Sequence, residues 1–258
     1  SVTGGENTAI GKNAFTDLTS GVSNLAVGFE AGKANTTGAA NTAIGHKALL
    51  SNTTASSNTA CGKDALRANT TGTENVAIGA YALDAGTNSN CVAVGYNALT
   101  ACTTNHNTAL GSKVMEDTTS GSSNTGVGSL ALSDLTTGTQ NTAVGMSALR
   151  YGTTGSSNSA LGTGALQNNT GSNNTAVGSQ SLNANTTGAE QVAVGAAALD
   201  ANTTGSVNTA IGYGALSDNT TGSSNVAVGK TALGDNTTAD NNTAIGRDAL
   251  RLNTTGAN

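Results

Sequence analysis

One short motif recurs through almost the whole chain, and such a period restricts the possible folds more sharply than composition does. The glycines that follow each Ala-Ile or Ala-Val pair, or its close variants, give an origin: Gly11, Gly28, Gly45, Gly62, Gly79, Gly95, Gly111, Gly128, Gly145, Gly162, Gly178, Gly195, Gly212, Gly229 and Gly246. Successive copies are 17 residues apart eleven times and 16 residues apart three times. The consensus is N-T-A-[IV]-G-x-x-A-L-x-x-N-T-T-G-x-x, and it covers Asn7 to Asn258. Residues 1–258 therefore read as a single repeat domain without a linker.

Each column has a physical meaning when numbered from the glycine. Position −1 is always apolar and usually β-branched, as in Ile10, Val27, Ile44, Ile78 and Val94, with Cys61 as one variant. Position −3 alternates between Thr and an apolar residue, as in Leu25, Val76 and Val192. Residues two apart on an extended segment share a face, and β-branching favours a strand, so the two columns predict a strand whose −1 and −3 side chains fill the interior of each coil. Position −2 is Ala or Gly, which suggests a backbone packed close by. Position −4 is Asn in thirteen copies, with Cys91 and Gln191 as exceptions, and stacked asparagines can pass amide hydrogen bonds from coil to coil. The N-T-T-G stretch supplies a second turn, where Asn tolerates and Gly permits positive φ. The G-x-x-A-L-x-x-N segment between them suits an extended segment or a short helical or 3₁₀ turn, with the extended form favoured.

A unit of 17 residues is too short for helix-pair repeats and fits one coil of a solenoid. The expected fold class is all-β, a parallel β-solenoid (β-roll) of about fifteen 17-residue coils. The 16-residue spacings are single deletions in turns.

Position +4 is Leu in twelve copies, departing only at Phe15, Gly32 and Met115. Fifteen coils at a strand spacing of about 4.8 Å would carry a leucine stripe of roughly 700 Å². That exceeds what a monomer normally exposes. A thin coil has no room to bury the −1, Ala and Leu columns together, so one face is expected to be shared with other chains. Burying twelve leucines is worth about 24 kcal/mol as an upper figure. A closed, parallel homotrimer would place such a stripe on its axis. The core or trimer packing columns are represented by Ile44, Ile78, Val144, Val177, Ile211 and Ile245 at −1 and by Leu49, Leu83, Leu149, Leu182, Leu216 and Leu250 at +4.

Composition enters here as a boundary. Leu, Ile, Val and Phe together make up 42 of 258 residues, below the roughly 20% that separates globular from disordered chains. Disorder of that kind also needs high charge, and only 10% of residues are charged, with no Pro. No apolar run is long enough to span a membrane. Ten Lys and Arg against fifteen acids, two Phe, four Tyr and no Trp leave little for a nucleic acid to bind. Cys61, Cys91 and Cys102 are too few for a disulfide framework or zinc site.

The segments Asn7 to Ala14, Asn75 to Ala82 and Asn225 to Ala232 resemble the S-V-A-I-G-x-x-A core of the head repeats of YadA-like trimeric autotransporter adhesins. The longer unit with A-L-x-x-N-T-T-G is similar to shaft repeats of phage tail fibres. The resemblance implies a trimeric β-roll, left-handed in the adhesins, that stands on a virion or cell surface. The period is longer than the adhesins' roughly 14 residues and no neck or coiled coil follows, which favours the tail fibre. The first and last coils carry no polar cap, so the segment is expected to be an excerpt of a longer fibre.

The resulting expectation is a structural fibre or adhesin shaft, located on a virion or cell surface. Its partners would be two further copies, other fibre segments and a host cell-surface glycan or protein, with no nucleic acid, no membrane, no cofactor and no catalysis. A bacterial adhesin head and an ice-binding solenoid, the latter displaying rows of Thr from the Thr-Thr pairs, are the alternatives. A depolymerase would need paired carboxylates and aromatic platforms. The acids are instead dispersed over Asp17, Asp84, Asp117, Asp134, Asp200, Asp218 and Asp235, in a row interrupted by other residue types. His46 and His106 read as solvated. Between Gly79 and Gly111 the repeat is disturbed twice in succession, with Tyr81, Tyr96, Cys91 and Cys102 inside it. The two thiols there occupy Asn columns and are expected either free or as a local staple, while Cys61 is expected to be buried.

Overall fold

Backbone hydrogen bonds in this chain run from each coil to the next. Thr42 N–H donates to the Asn58 carbonyl at 2.8 Å, and Gly45 N–H to the Val27 carbonyl at 2.8 Å. In a computed structural model describing residues 4–256, every repeat contributes one three-residue strand at positions −3 to −1. Residues 1–3 and 257–258, the last of which close the fifteenth repeat, lie outside the described residues.

The chain divides into two compact units, 1–124 and 125–258. The first holds seven strands among the described residues, from Thr8–Ile10 to Thr108–Leu110, and the second eight, from Thr125–Val127 to Thr243–Ile245. Within each unit neighbouring strands pair in parallel and in strict register, so that Thr42 lies beside Thr59 and Ala43 beside Ala60. The same holds for Val192 beside Thr209 and Ala193 beside Ala210. Each unit is therefore a parallel β-solenoid with one strand per 16- or 17-residue turn.

The distribution of faces reverses the sequence expectation. Ala at −2 points inward, with Ala43, Ala77, Ala143 and Ala210 fully buried. The −1 residues point outward: Ile44, Ile78 and Ile211 are 37%, 41% and 40% exposed, Val144 and Val177 are half-buried, and Ile245 is 72% exposed. The leucines at +4 lie inside. Leu49, Leu83, Leu149, Leu182 and Leu216 have no exposed surface, and only Leu250, in the last coil of its unit, is exposed. No leucine stripe is left at the surface for other chains to cover, so that argument for a trimer does not hold. Cys61, expected inside, also stands on the outward face and is half-buried.

The cause is local backbone conformation. The segment from the glycine to the next Asn is neither extended nor a regular helix but a turn, closed by bonds such as Ala48 N–H to the Gly45 carbonyl at 3.4 Å. Positions +2 and +4 both adopt left-handed φ, as at Lys47 (56°) and Leu49 (53°). In a strand, Ala48 and Leu49 would point to opposite faces. The left-handed residue breaks that alternation, and both are fully buried. Such φ values cost about 1 kcal/mol or more at a non-glycine residue. They are compensated by intercoil bonds, Leu49 N–H to the Ala65 carbonyl at 2.9 Å and Lys47 N–H to the Phe29 carbonyl at 2.8 Å. The third left-handed position is −5, as at Ser57.

The Asn of N-T-T-G is not left-handed, contrary to expectation; its side chain is what the fold uses. Buried asparagines form two ladders, at −4 and +7. In the first, Asn75 Nδ2 donates to Asn58 Oδ1 at 3.0 Å and Asn158 Nδ2 to Asn141 Oδ1 at 3.1 Å. In the second, Asn69 donates to Asn52 at 3.1 Å and Asn202 to Asn185 at 2.8 Å. The interior of a typical coil is thus one leucine, two alanines and a pair of amides.

Candidate functional site

The outward sheet face is the most distinctive surface. It consists of the −3 and −1 side chains of fifteen strands, and none of those thirty residues is charged. Position −1 is apolar throughout; position −3 is Thr in nine strands, Ser159 in one, and Val or Leu in the rest. Most are half-buried by their neighbours along the sheet. In a chain with one charged residue in ten, an uncharged, β-branched face on each unit is a surface suited to packing against something equally flat.

The N-T-T-G turn presents less than its composition suggests. The first Thr is occupied internally: Thr203 Oγ1 donates to the Thr220 carbonyl at 2.9 Å, and Thr53 Oγ1 to Thr70 at 3.3 Å. The second, such as Thr204 or Thr221, is exposed, while the first is half-buried in most copies, as at Thr203 and Thr220. The three short coils omit that exposed residue. Asn58 Nδ2 reaches the Gly72 carbonyl 14 residues on, whereas Asn75 reaches Asn88 and Asn158 reaches Gly171 after 13. The first Thr survives in them, with Thr103 bonded to Thr119 and Thr170 to Thr186. The deletions fall in turns, and Thr103 and Thr170 keep the bond of the first Thr to the next coil.

The disturbed stretch in the first unit gathers several of the remaining candidates. Tyr81 and Tyr96 meet edge to face with centroids 6.1 Å apart and, with Asn97 and Thr100, line a shallow depression. Lys63 lies over the Tyr81 ring at 4.8 Å. Cys91 and Cys102, by contrast, are fully buried. His46 is exposed and stacks on Phe29 at 5.3 Å, and His106 is exposed. The acids remain scattered, several in isolated pairs such as Arg67 with Asp84 at 3.0 Å. Among the described residues no group of three or more His, Cys, Asp or Glu gathers to hold a metal ion.

These features define a repeat protein of the parallel β-solenoid class. Compared with models of protein families and with curated proteins, the chain matches none. The sheet face was present in the sequence as columns −3 and −1 but assigned to the interior. The signal that could have corrected it is size: a column restricted to Ala fits a narrow interior better than one alternating between Ile, Val, Leu and Thr.

Proposed function

We propose that this chain is the shaft of a viral tail fibre, a homotrimer that carries or contributes to host-receptor binding, and that its copies meet through the outward sheet face rather than through the leucines. The observation that carries the reading is the absence of charge from all thirty outward sheet positions, together with an apolar −1 residue in every strand. Burying half-exposed Ile and Val is favourable by roughly 25 cal/mol per Å² removed from water. A threefold axis lets three identical faces close on each other without a leftover edge. The likeness of the repeats to fibre and adhesin repeats supports the same reading.

The test is the mass in solution by light scattering. About three times 24.9 kDa is expected, and a value near one chain overturns the trimer. In the trimer, Ile211→Lys should lower the mass to that of one chain while the circular dichroism of the strands is kept.

A second reading rests on the same surface. The −3 threonines stand in register beside each other at Thr42 and Thr59 and at Thr125 and Thr142, and alternate with Val at Thr175, Val192 and Thr209, next to the −1 residues, which is the flat array an ice-binding solenoid would use. It replaces the Thr-Thr turn as the candidate ice face, since half of those hydroxyls are already bonded. A monomer with clear thermal hysteresis would favour this reading over the fibre.

A further inference from the structure

In most coils the side chains at −4 and +7 act as a unit: both donate to one and the same backbone carbonyl. Asn24 and Asn35 converge on Gly38 at 2.8 and 3.0 Å, Asn58 and Asn69 on Gly72 at 2.9 and 2.9 Å, and Asn208 and Asn219 on Gly222 at 2.8 and 2.9 Å. One coil differs at both places. Cys91 at −4 and Cys102 at +7 converge on the Thr104 carbonyl at 3.3 and 3.4 Å.

The replacement is paired. Where +7 alone departs from Asn, at Leu18, Gly86, Thr118, Leu135 and Gly152, the −4 partner is still Asn. Where −4 alone departs, at Gln191, the +7 residue is Asn202 and both amides still reach Gly205. Only in this coil are both amides lost, and both become thiols.

We propose that Cys91 and Cys102 are an oxidisable dithiol that closes to a disulfide across the interior of this coil, with a hydroperoxide as the oxidant. Both sulfurs lie within hydrogen-bond reach of one oxygen, which makes them neighbours in the coil interior. The neighbouring Cys91 thiol lowers the pKa of Cys102 to about 6, aided by Thr104 and by Asn107, whose Nδ2 donates to the sulfur at 3.4 Å. The neighbouring Cys102 sulfur, followed by burial, pushes the Cys91 thiol up. One thiolate beside one thiol is the pairing that reacts with peroxide in two steps. The Cys102 thiolate attacks the peroxide O–O bond, taking one oxygen to become a sulfenic acid and releasing hydroxide, which takes up a proton to leave as water. The Cys91 sulfur then displaces the sulfenic oxygen, which leaves as a second water with the Cys91 proton. Two sulfurs lose one electron each and the peroxide is reduced by two. Hydrogen peroxide is close to water in size, so full burial excludes bulky thiol reagents more strongly than it excludes this oxidant. Cys61 stands apart on the sheet face and serves as an internal control.

The intact chain would be treated with hydrogen peroxide, unfolded, alkylated and digested with trypsin. Cys91 and Cys102 fall in one peptide, Ala68 to Lys113, and Cys61 in another, Ala48 to Lys63. The expected result is an Ala68 to Lys113 peptide that has lost two hydrogens and takes up no alkyl group, with its thermal midpoint before digestion raised relative to untreated protein. Cys91→Asn with Cys102→Asn restores the amide pair and should fold normally, its midpoint unmoved by peroxide. Full alkylation of both cysteines after peroxide treatment, a sulfinic acid at Cys102, or a disulfide to Cys61 of another chain would each overturn the proposal.

Discussion

Asn41 and Asn52, eleven residues apart, donate their side-chain amides to a single acceptor, the Ala55 carbonyl, at 2.8 and 2.9 Å. Both are buried, and both also bond along the stack: Asn41 Oδ1 accepts from Asn58 N–H at 3.0 Å, and Asn52 Nδ2 reaches Asn35 Oδ1 at 3.2 Å. The pair thus ties the end of the N-T-T-G turn to the start of the strand within one coil, and each coil to its neighbours. This explains how so few large apolar residues suffice. Buried amides are costly unless paired, and here each side chain both donates through its Nδ2 and accepts through its Oδ1.

Removing one amide should therefore be more expensive than its size suggests. Asn208 donates to Gly222 at 2.8 Å and accepts from the Asn225 backbone N–H at 2.9 Å. Asn208→Ala leaves the buried Asn225 N–H without its acceptor, while the Gly222 carbonyl keeps Asn219 alone, so a loss of about 1–3 kcal/mol is expected in urea unfolding. Thr204→Ala, on the exposed side of a nearby turn, should stay within about 0.5 kcal/mol.

The reversed faces make an equally direct comparison. Leu216 has no exposed surface and Ile211 is 40% exposed. Leu216→Ala should cost about 2–5 kcal/mol of fold stability, because it opens a cavity in the narrow interior. Ile211→Ala should leave the fold within about 1 kcal/mol. Thermal unfolding of the two variants checks this, and Leu166→Asp, at another fully buried leucine, should prevent folding rather than merely block assembly.

The period, the strand at −3 to −1 and the Asn ladder at −4 were all legible, because each rests on a residue type repeated in one column. The inside and outside of the coil were not. Alternation holds only while the backbone is extended, and the left-handed residues that break it carry no marker: Lys47 and Leu49 are among the last residue types expected at φ of 56° and 53°. The same inversion misplaced the candidate surface, since Ile44 and Thr42 were recognised as one face but placed indoors. The thiol pair was visible as two substitutions in Asn columns. That they share one acceptor required the fold.

Glycines divide into two kinds by what surrounds them. Gly195, at the repeat origin, has φ of 137°, and a Cβ there would lie 2.5 Å from the Gly212 carbonyl oxygen of the next coil. Gly195→Ala should cost roughly 3 kcal/mol or more, from strain and clash together. Gly214 has φ of 61°, its nearest neighbour is the Thr231 methyl at 3.4 Å, and Asn97 occupies the same column at φ of 53°. Gly214→Asn should be neutral or stabilise by up to about 1 kcal/mol, through the reduced freedom of the unfolded chain. Paired urea titrations would separate the two effects.

One carboxylate works against the fold at neutral pH. Burial raises the pKa of Asp200 above the ordinary carboxylate value, and the nearby charge of Asp218 adds to the shift. Its Oδ1 is buried without a hydrogen-bond partner. The folded chain therefore holds this proton more tightly than the unfolded chain, so stability falls as pH rises from the unfolded to the folded value, and the cost persists above it. Asp200→Asn removes the charge and supplies a donor. It should raise the thermal midpoint at pH 7, and the advantage should shrink as pH falls through the carboxylate range, where wild-type Asp200 becomes neutral too. Thermal melts of both proteins at pH 3 and pH 7 measure this. An equal difference at the two values would show that Asp200 is not ionised against a burial cost.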